Sequence, residues 1–299
     1  MENYDDIFNA SKPSENKNKS FTPFNKDEWA AQKKQERDNA FKMIDDTALR
    51  MAGDSKLFRS YLDVQAFFDR YSVGNALLIT AQKPDARQLA DFNGWKDNNV
   101  FIKKGESGIV LLEPGEEYTK EDGTVGVSYN TKKVFDITQT NSTAKERPSV
   151  KYDNRLLLKA IINNAPCVME ISHSLPDGIN AFYRPEDKKL LVRAGLEAKD
   201  IFRGISQELA HAHLDKGSYD RHDHAFTGYC VSYVLCSRYN VAKDSFSFNR
   251  LSETLSGMDA KSIRQELTKI RDTANEISSD MAKVLDRNKK PKDRSDDAR

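Results

Sequence analysis

The residues whose types and spacing point most directly to chemistry are Ser206-Gln207-Glu208-Leu209-Ala210-His211-Ala212-His213-Leu214-Asp215. On a helix, two histidines at i and i+4 share a face and bind zinc, and the glutamate after the first acts as general base toward a metal-bound water. Here the order is Gln-Glu-x-x-His. Glu208 and His211 are in place, and Gln207 stands where the first histidine would. A catalytic zinc needs three good protein ligands and an open position, and an amide oxygen is a poor replacement for an imidazole. Four of the five histidines lie close together: His211, His213, His222 and His224. His211 and Asp215 are i,i+4 on one face, and a loop carrying His222 and His224 is placed to fold back on them, which defines an alternative metal set. His213 lies about 200° round a helix from His211, so those two cannot share one ion. His173 reads as polar surface. Three readings stay open: a peptidase using Glu208 with rearranged ligands, a shifted zinc site, or a scaffold in which Glu208 and His211 are hydrogen-bonded in a former cleft. The missing ligand favours the scaffold.

A second set of residues has the types that hold single-stranded nucleic acid, namely aromatic faces beside a local cationic groove. Tyr71, Trp95 and Phe101 supply faces; Arg70, Lys103, Lys104, Lys132 and Lys133 supply phosphate contacts; Asn75 and Gln82 add polar groups on the adjoining segment. Lys103-Lys104-Gly105 reads as a hairpin tip where glycine lets a backbone approach closely. The plainer readings stand beside these. Spacing favours a core position for Trp95, Asn75 and Gln82 suit a packing helix that satisfies loop backbone, and the lysine pairs suit solvated turns. Bulk charge does not help: 47 Lys and Arg face 46 Asp and Glu, a net +1. The counts are 22 against 24 over residues 1–150 and 25 against 22 over 151–299. Any nucleic-acid site is therefore a local patch.

The elements that position these residues follow from periodicity and punctuation. A charged helix runs from about Asn25 to Met51, and a second from Lys56 to Phe68. Asn75 to Gln82 is a short buried helix stopped by Pro84, and Ala86 to Phe92 is another. From Val100 the period changes: Val100-Phe101-Ile102 and Ile109 to Leu112 read as strands, Glu113 to Val125 as a Gly- and Glu-rich loop, and Lys133 to Ile137 as a returning strand. Asn154 to Ala165 is a helix, Ile179–Tyr183 and Lys189–Val192 form a hairpin, and Glu197 to Asp215 is the helix of the central motif. Ala225 to Tyr239 is an apolar helix behind it, and Asp259 to Leu285 is long and amphipathic. Tyr219, Phe226, Tyr229 and Tyr233 read as core or cleft wall.

Several separated blocks resemble the ArdC-type antirestriction proteins of plasmids and conjugative elements. These are Tyr71-Ser72-x-x-Asn75-x-x-Leu78-Ile79-x-x-Gln82, Phe92-x-x-Trp95, Lys103-Lys104-Gly105-Glu106-x-Gly108-Ile109, Pro114 and Val134-Phe135-Asp136-Ile137-Thr138-Gln139-Thr140. The resemblance implies a single-stranded-DNA-binding domain followed by a zincin-like metallopeptidase domain, matched in order by Tyr183, Glu208-Leu209-Ala210-His211-Ala212 and Val231 to Cys236. It also implies two departures. The first metal histidine falls on Gln207, and the acidic third ligand of the next helix falls near Tyr229, within a segment from Ala225 to Asn240 that holds no Asp or Glu.

The expected fold class is α+β, with a helical and small antiparallel-sheet N-terminal domain followed by a zincin-like α/β domain. The expected organisation is a disordered 1–24, a DNA-binding domain 25–140, a linker 141–149, a zincin-like domain 150–285 and a charged tail 286–299. The expected function is sequence-independent binding of single-stranded DNA for a mobile element, an antirestriction or protective role during transfer, with a restriction or conjugation protein as possible further partner. No cofactor is required by this reading, and zinc is the metal to test. Residues 1–19 have no signal-peptide core, and no run approaches the ~18 apolar residues of a membrane span. Three cysteines without zinc-knuckle spacing, Cys167, Cys230 and Cys236, fit reduced thiols in a cytoplasmic protein.

Overall fold

Short polar side chains set where most helices begin. Asn25, Asp54, Ser72, Asp91, Asp153, Asp220 and Asp259 each turn a side-chain oxygen back onto backbone N–H groups of the following turn. Such caps satisfy donors that a helix cannot pair internally. The computed structural model describes residues 25–143, 151–163 and 165–288. The expected disordered N-terminus 1–24, most of the linker 141–149 and most of the tail 286–299 lie outside the described residues.

The first part contains α1 (Lys26–Met51), α2 (Ser55–Phe67), α3 (Val73–Gln82), β1 (Leu89–Ala90), α4 (Phe92–Asp97), β2 (Ile109–Thr119) and β3 (Val125–Asp136). The second contains α5 (Asn154–Ile162), β4 (Val168–Ser172), β5 (Ala181–Arg184), β6 (Lys189–Arg193), α6 (Ala198–Leu214), α7 (Arg221–Arg238), α8 (Leu251–Leu255) and α9 (Ala260–Leu285). The fold class is α+β, as expected. Among the described residues no helix is long and apolar enough to cross a membrane.

Two three-stranded sheets are present. In the first, β1-β3-β2, all pairing is antiparallel. In the second, β4-β6-β5, β4 runs parallel to β6 and β5 antiparallel. β2 and β3 form one long ribbon closed by a turn at Lys120–Thr124, where Gly123 adopts a φ of 79°. This corrects the expected loop at Glu113–Val125. Strand pairing continues through Pro114 to Thr119, with a register shift between Pro114 and Glu117. Its Pro and Glu content is tolerable because the distal ribbon is two-stranded and solvent-facing, where no ladder partner is lost.

Three other boundaries move. Val100–Ile102 is not a strand, for only Ile102 makes an isolated bridge, to Thr140. Lys103-Lys104-Gly105 is therefore a connecting loop and not a hairpin tip. Ala86–Phe92 is not a helix: β1 forms there, because buried Asp136 accepts the N–H groups of Arg87 (2.6 Å) and Gln88 (2.9 Å) and draws this segment alongside β3. α7 begins at Arg221, four residues before the expected Ala225, because Asp220 accepts the N–H of His222 at 2.7 Å.

The two parts share one continuous apolar core. Phe58, Leu62 and Ala66 of α2 pack with Val231, Tyr233 and Val234 of α7, and α9 lays Ile263, Leu267, Ile270 and Ile277 along the same interior. Polar bonds pin the contact. Asp63 of α2 accepts from Tyr233 and Ser237 of α7 and from Lys243, and Arg238 donates to the carbonyl of Ala66.

Candidate functional site

The central motif sits on α6, whose apolar stripe Phe202, Ile205 and Leu209 faces the core. Glu208 and His211, one turn apart, fall on the covered side and are only 2% and 1% exposed. Two close approaches bury them. Gly204 lets β5 come near, since a Cβ there would stand 3.2 Å from that of Ala181. Gly228 does the same for α7: a Cβ there would lie 3.0 Å from Nε2 of His211 and 3.3 Å from the carbonyl of Gln207.

A buried carboxylate must be paired and hydrogen-bonded. Glu208 accepts from the backbone N–H of Tyr183 on β5 at 2.7 Å and from Nη2 of Arg221 at 2.6 and 2.7 Å. The Arg221 guanidinium lies 4.5 Å over the Phe182 ring, a cation–π contact that holds it at the cleft. Burial pushes the Glu208 carboxyl up from its ordinary value, against the opposing pull of Arg221 and the Tyr183 N–H. Nδ1 of His211 is hydrogen-bonded to the Tyr219 hydroxyl, 2.6 Å away. Burial, aided by the nearby Arg221 and His224, depresses the His211 imidazole to about 4, and burial raises the Tyr219 phenol to about 12. Both are neutral at pH 7, so this is a hydrogen bond between two uncharged groups, its direction set by the imidazole tautomer.

The remaining expected ligands do not converge on His211. Gln207 lines the cleft of about 340 Å³ that also holds Glu208, Arg221, Phe182 and Tyr229. The Tyr229 hydroxyl is committed to Ser247, accepting its N–H at 2.7 Å and donating to its carbonyl at 3.2 Å. Asp215 accepts from Lys188, from the Tyr183 hydroxyl (2.9 Å) and from the Gly217 N–H (3.0 Å), and the Lys188 ammonium holds its carboxyl below the usual range. His222 and His224 lie on the first turn of α7 and not on a loop, which removes the expected fold-back. His222 is exposed; His224 stacks on Tyr219 at 5.6 Å, with a buried Nδ1 that has no partner. His213 points to Glu276 at 3.1 Å. Among the described residues no three His, Cys, Asp or Glu side chains are placed to share a metal ion. The donor set does not fit the zinc or other metal centre that the Glu208–His211 spacing suggests.

The expected DNA-binding residues divide into two groups. Asn75 and Gln82 of α3 are amide clamps on the free edge of β2. Asn75 exchanges two bonds of 2.8 Å with the N–H and C=O of Leu112, and Gln82 exchanges bonds of 2.9 and 3.0 Å with Val110. Trp95 is 4% exposed and donates its indole N–H to the carbonyl of Phe135 at 2.9 Å. It offers no stacking face. By contrast Arg70, Tyr71 and Lys132 converge, with Tyr129, on a groove of about 640 Å³ between α3 and the base of the β2–β3 ribbon. Lys132 is shared there with Asp91 (2.9 Å) and Glu113 (3.7 Å). Phe101 is 56% exposed but lies outside this groove, as do Lys103, whose ammonium donates to the carbonyl of Thr138 at 2.9 Å, Lys104 and Lys133.

The sequence reading missed Arg221 and Gly228. The Asp220 cap was the signal for the first, since it starts α7 early enough to put Arg221 opposite the motif. No local signal marks Gly228, whose role exists only against α6.

No family model matches this sequence, and no curated protein matches it. Among solved structures, the antirestriction ArdC protein from plasmid R388 aligns with a TM-score of 0.50 in both its metal-free and Mn(II)-bound forms, at 16% and 15% identity. The alignments cover 71% of this chain and 86% and 85% of ArdC. That identity speaks for the architecture alone: the fold of this chain is similar to that of ArdC.

Proposed function

We propose that this chain is a single-stranded-DNA-binding protein with an antirestriction or DNA-protective role for a mobile element, acting in the cytoplasm. The observation that carries the reading is the groove in which Arg70, Tyr71, Tyr129 and Lys132 meet. It combines the two components that sequence-tolerant strand binding needs, aromatic faces for bases and cations for phosphates. The ArdC-type fold supports the antirestriction context, since the R388 protein carries that description. Binding is confined to the ribbon base. Farther out, residues 115–128 carry Glu116, Glu117, Glu121 and Asp122 against Lys120, and that net negative charge repels a phosphate backbone. A restriction or conjugation protein is the natural further partner. The part carrying Glu208 serves as scaffold and not as peptidase, because its base is paired and its ligands are dispersed.

The test is fluorescence anisotropy with labelled single- and double-stranded oligonucleotides across a salt series. The expected result is salt-dependent preference for the single strand, weakened by roughly tenfold in Tyr71→Ala, the scale of one base–aromatic stack. Arg70→Glu should weaken binding and lower the salt slope by about one or more. Equal affinity for duplex, or wild-type affinity in both variants, would refute this groove.

A further inference from the structure

We infer that Arg221 is a built-in cation that occupies the role a metal ion would fill beside Glu208, so that the α6–β5 cleft is stabilised without metal. The inference is independent of the DNA-binding reading. A glutamate that serves a metal-bound water must keep an oxygen free toward that water. Both Glu208 oxygens are instead taken, by one guanidinium nitrogen and by the N–H of Tyr183. The guanidinium reaches them from the first turn of α7 and shares the cleft with Gln207 and Tyr229, the two positions where ligands were expected. A divalent ion there would meet a fixed positive charge in place of a histidine and an acid.

His211 is engaged on one ring nitrogen and crowded by α7 on the other side. Its Nδ1 is bonded to the Tyr219 hydroxyl, and its Nε2 lies beside Gly228 of α7, where an added Cβ would stand only 3.0 Å away. The carboxylate nevertheless needs a positive partner, because burying it alone is strongly unfavourable. Arg221 meets that need and at the same time ties α7 to α6 and, through Glu208, to β5.

The experiment uses the full chain with any affinity tag removed. Mn(II) and Zn(II) are titrated by calorimetry, and Tm is measured with EDTA, with Mn(II) and with neither. The wild type should show no saturable binding that His211→Ala removes, and its Tm should agree across the three conditions within about 1 °C, since a ligand that does not bind cannot shift unfolding. Arg221→Met should lower Tm by roughly 10 °C, the effect of an uncompensated buried charge in a chain of this size. The double variant Glu208→Gln with Arg221→Met should recover part of that loss, and it keeps the test decisive should the single variant fail to fold. Stoichiometric metal binding by the wild type with a Tm gain that His211→Ala abolishes would overturn the inference. So would a double variant no more stable than Arg221→Met alone.

Discussion

Replacing Asn75 by alanine separates a structural role from a DNA-binding one. The Asn75 amide imitates one residue of a neighbouring strand, giving its N–H₂ to the Leu112 carbonyl and its oxygen to the Leu112 N–H, both at 2.8 Å. Alanine leaves both Leu112 groups without a partner on the α3 side. An orphaned buried polar group costs about 1–3 kcal/mol. The groove beside Asn75 admits water, which places each group at the low end, so the pair should cost about 2–3 kcal/mol. At about 2–4 °C per kcal/mol for a unit of 150–250 residues, Tm should fall by roughly 4–12 °C. Asn75→Asp should be no milder, because a carboxylate cannot donate to the Leu112 carbonyl and faces it with like charge. Urea unfolding at constant m-value reads the cost, with oligonucleotide anisotropy measured on the folded variant. A cost under about 0.5 kcal/mol, the range of ordinary surface changes, would refute the clamp. So would a large loss of DNA affinity at unchanged stability.

Further outcomes follow from the same geometry. Gly228→Ala should destabilise by about 1–3 kcal/mol, because the new methyl must displace either His211 or the α6 backbone; an unchanged urea midpoint would show that α7 yields freely. Lowering pH should cost stability progressively between the ordinary imidazole value near 6.5 and about 4, where the unfolded chain binds a proton that folded His211 refuses. Glu208, raised by burial, takes up a proton more readily in the folded chain at the acid end of that window and opposes the loss there. His211→Gln, which keeps a neutral hydrogen-bonding partner for Tyr219, should flatten the profile, and a slope unchanged by that substitution would count against the assignment. Asp136→Asn should cost about 2–4 kcal/mol, since one oxygen cannot replace two that receive the N–H groups of Arg87, Gln88 and Thr138. Although desolvation raises the Asp136 carboxyl, bonds from Thr138 and from the backbone of Arg87 and Gln88 leave it net lowered. Its stability contribution is therefore present above the ordinary carboxyl value and lost as pH falls through the lowered one.

The sequence by itself determined the helices with a cap and a continuous apolar stripe, such as α2 and α9, and the β5–β6 hairpin with its polar turn. Their stabilising contacts are local or strictly periodic. It also determined that Glu208 and His211 share one side of α6, because helix geometry fixes the angle between residues three apart. What it could not determine was everything that depends on who lies across the interior. The distal β2–β3 ribbon has strand pairing in place of an apolar pattern, so its Glu, Gly and Pro residues hid it. β1 exists because Asp136, far along the chain, collects its backbone donors. Asn75, Gln82 and Trp95 have residue types that suit a ligand surface as well as a backbone partner, and only the position of β2 and β3 assigns them to the backbone. At the central motif, the spacing names a carboxylate and an imidazole but not their partners. Arg221, Tyr219 and Gly228 reach them through the packing of α7 and its preceding loop on α6, and that packing decides whether Glu208 is a free base or one half of a buried ion pair.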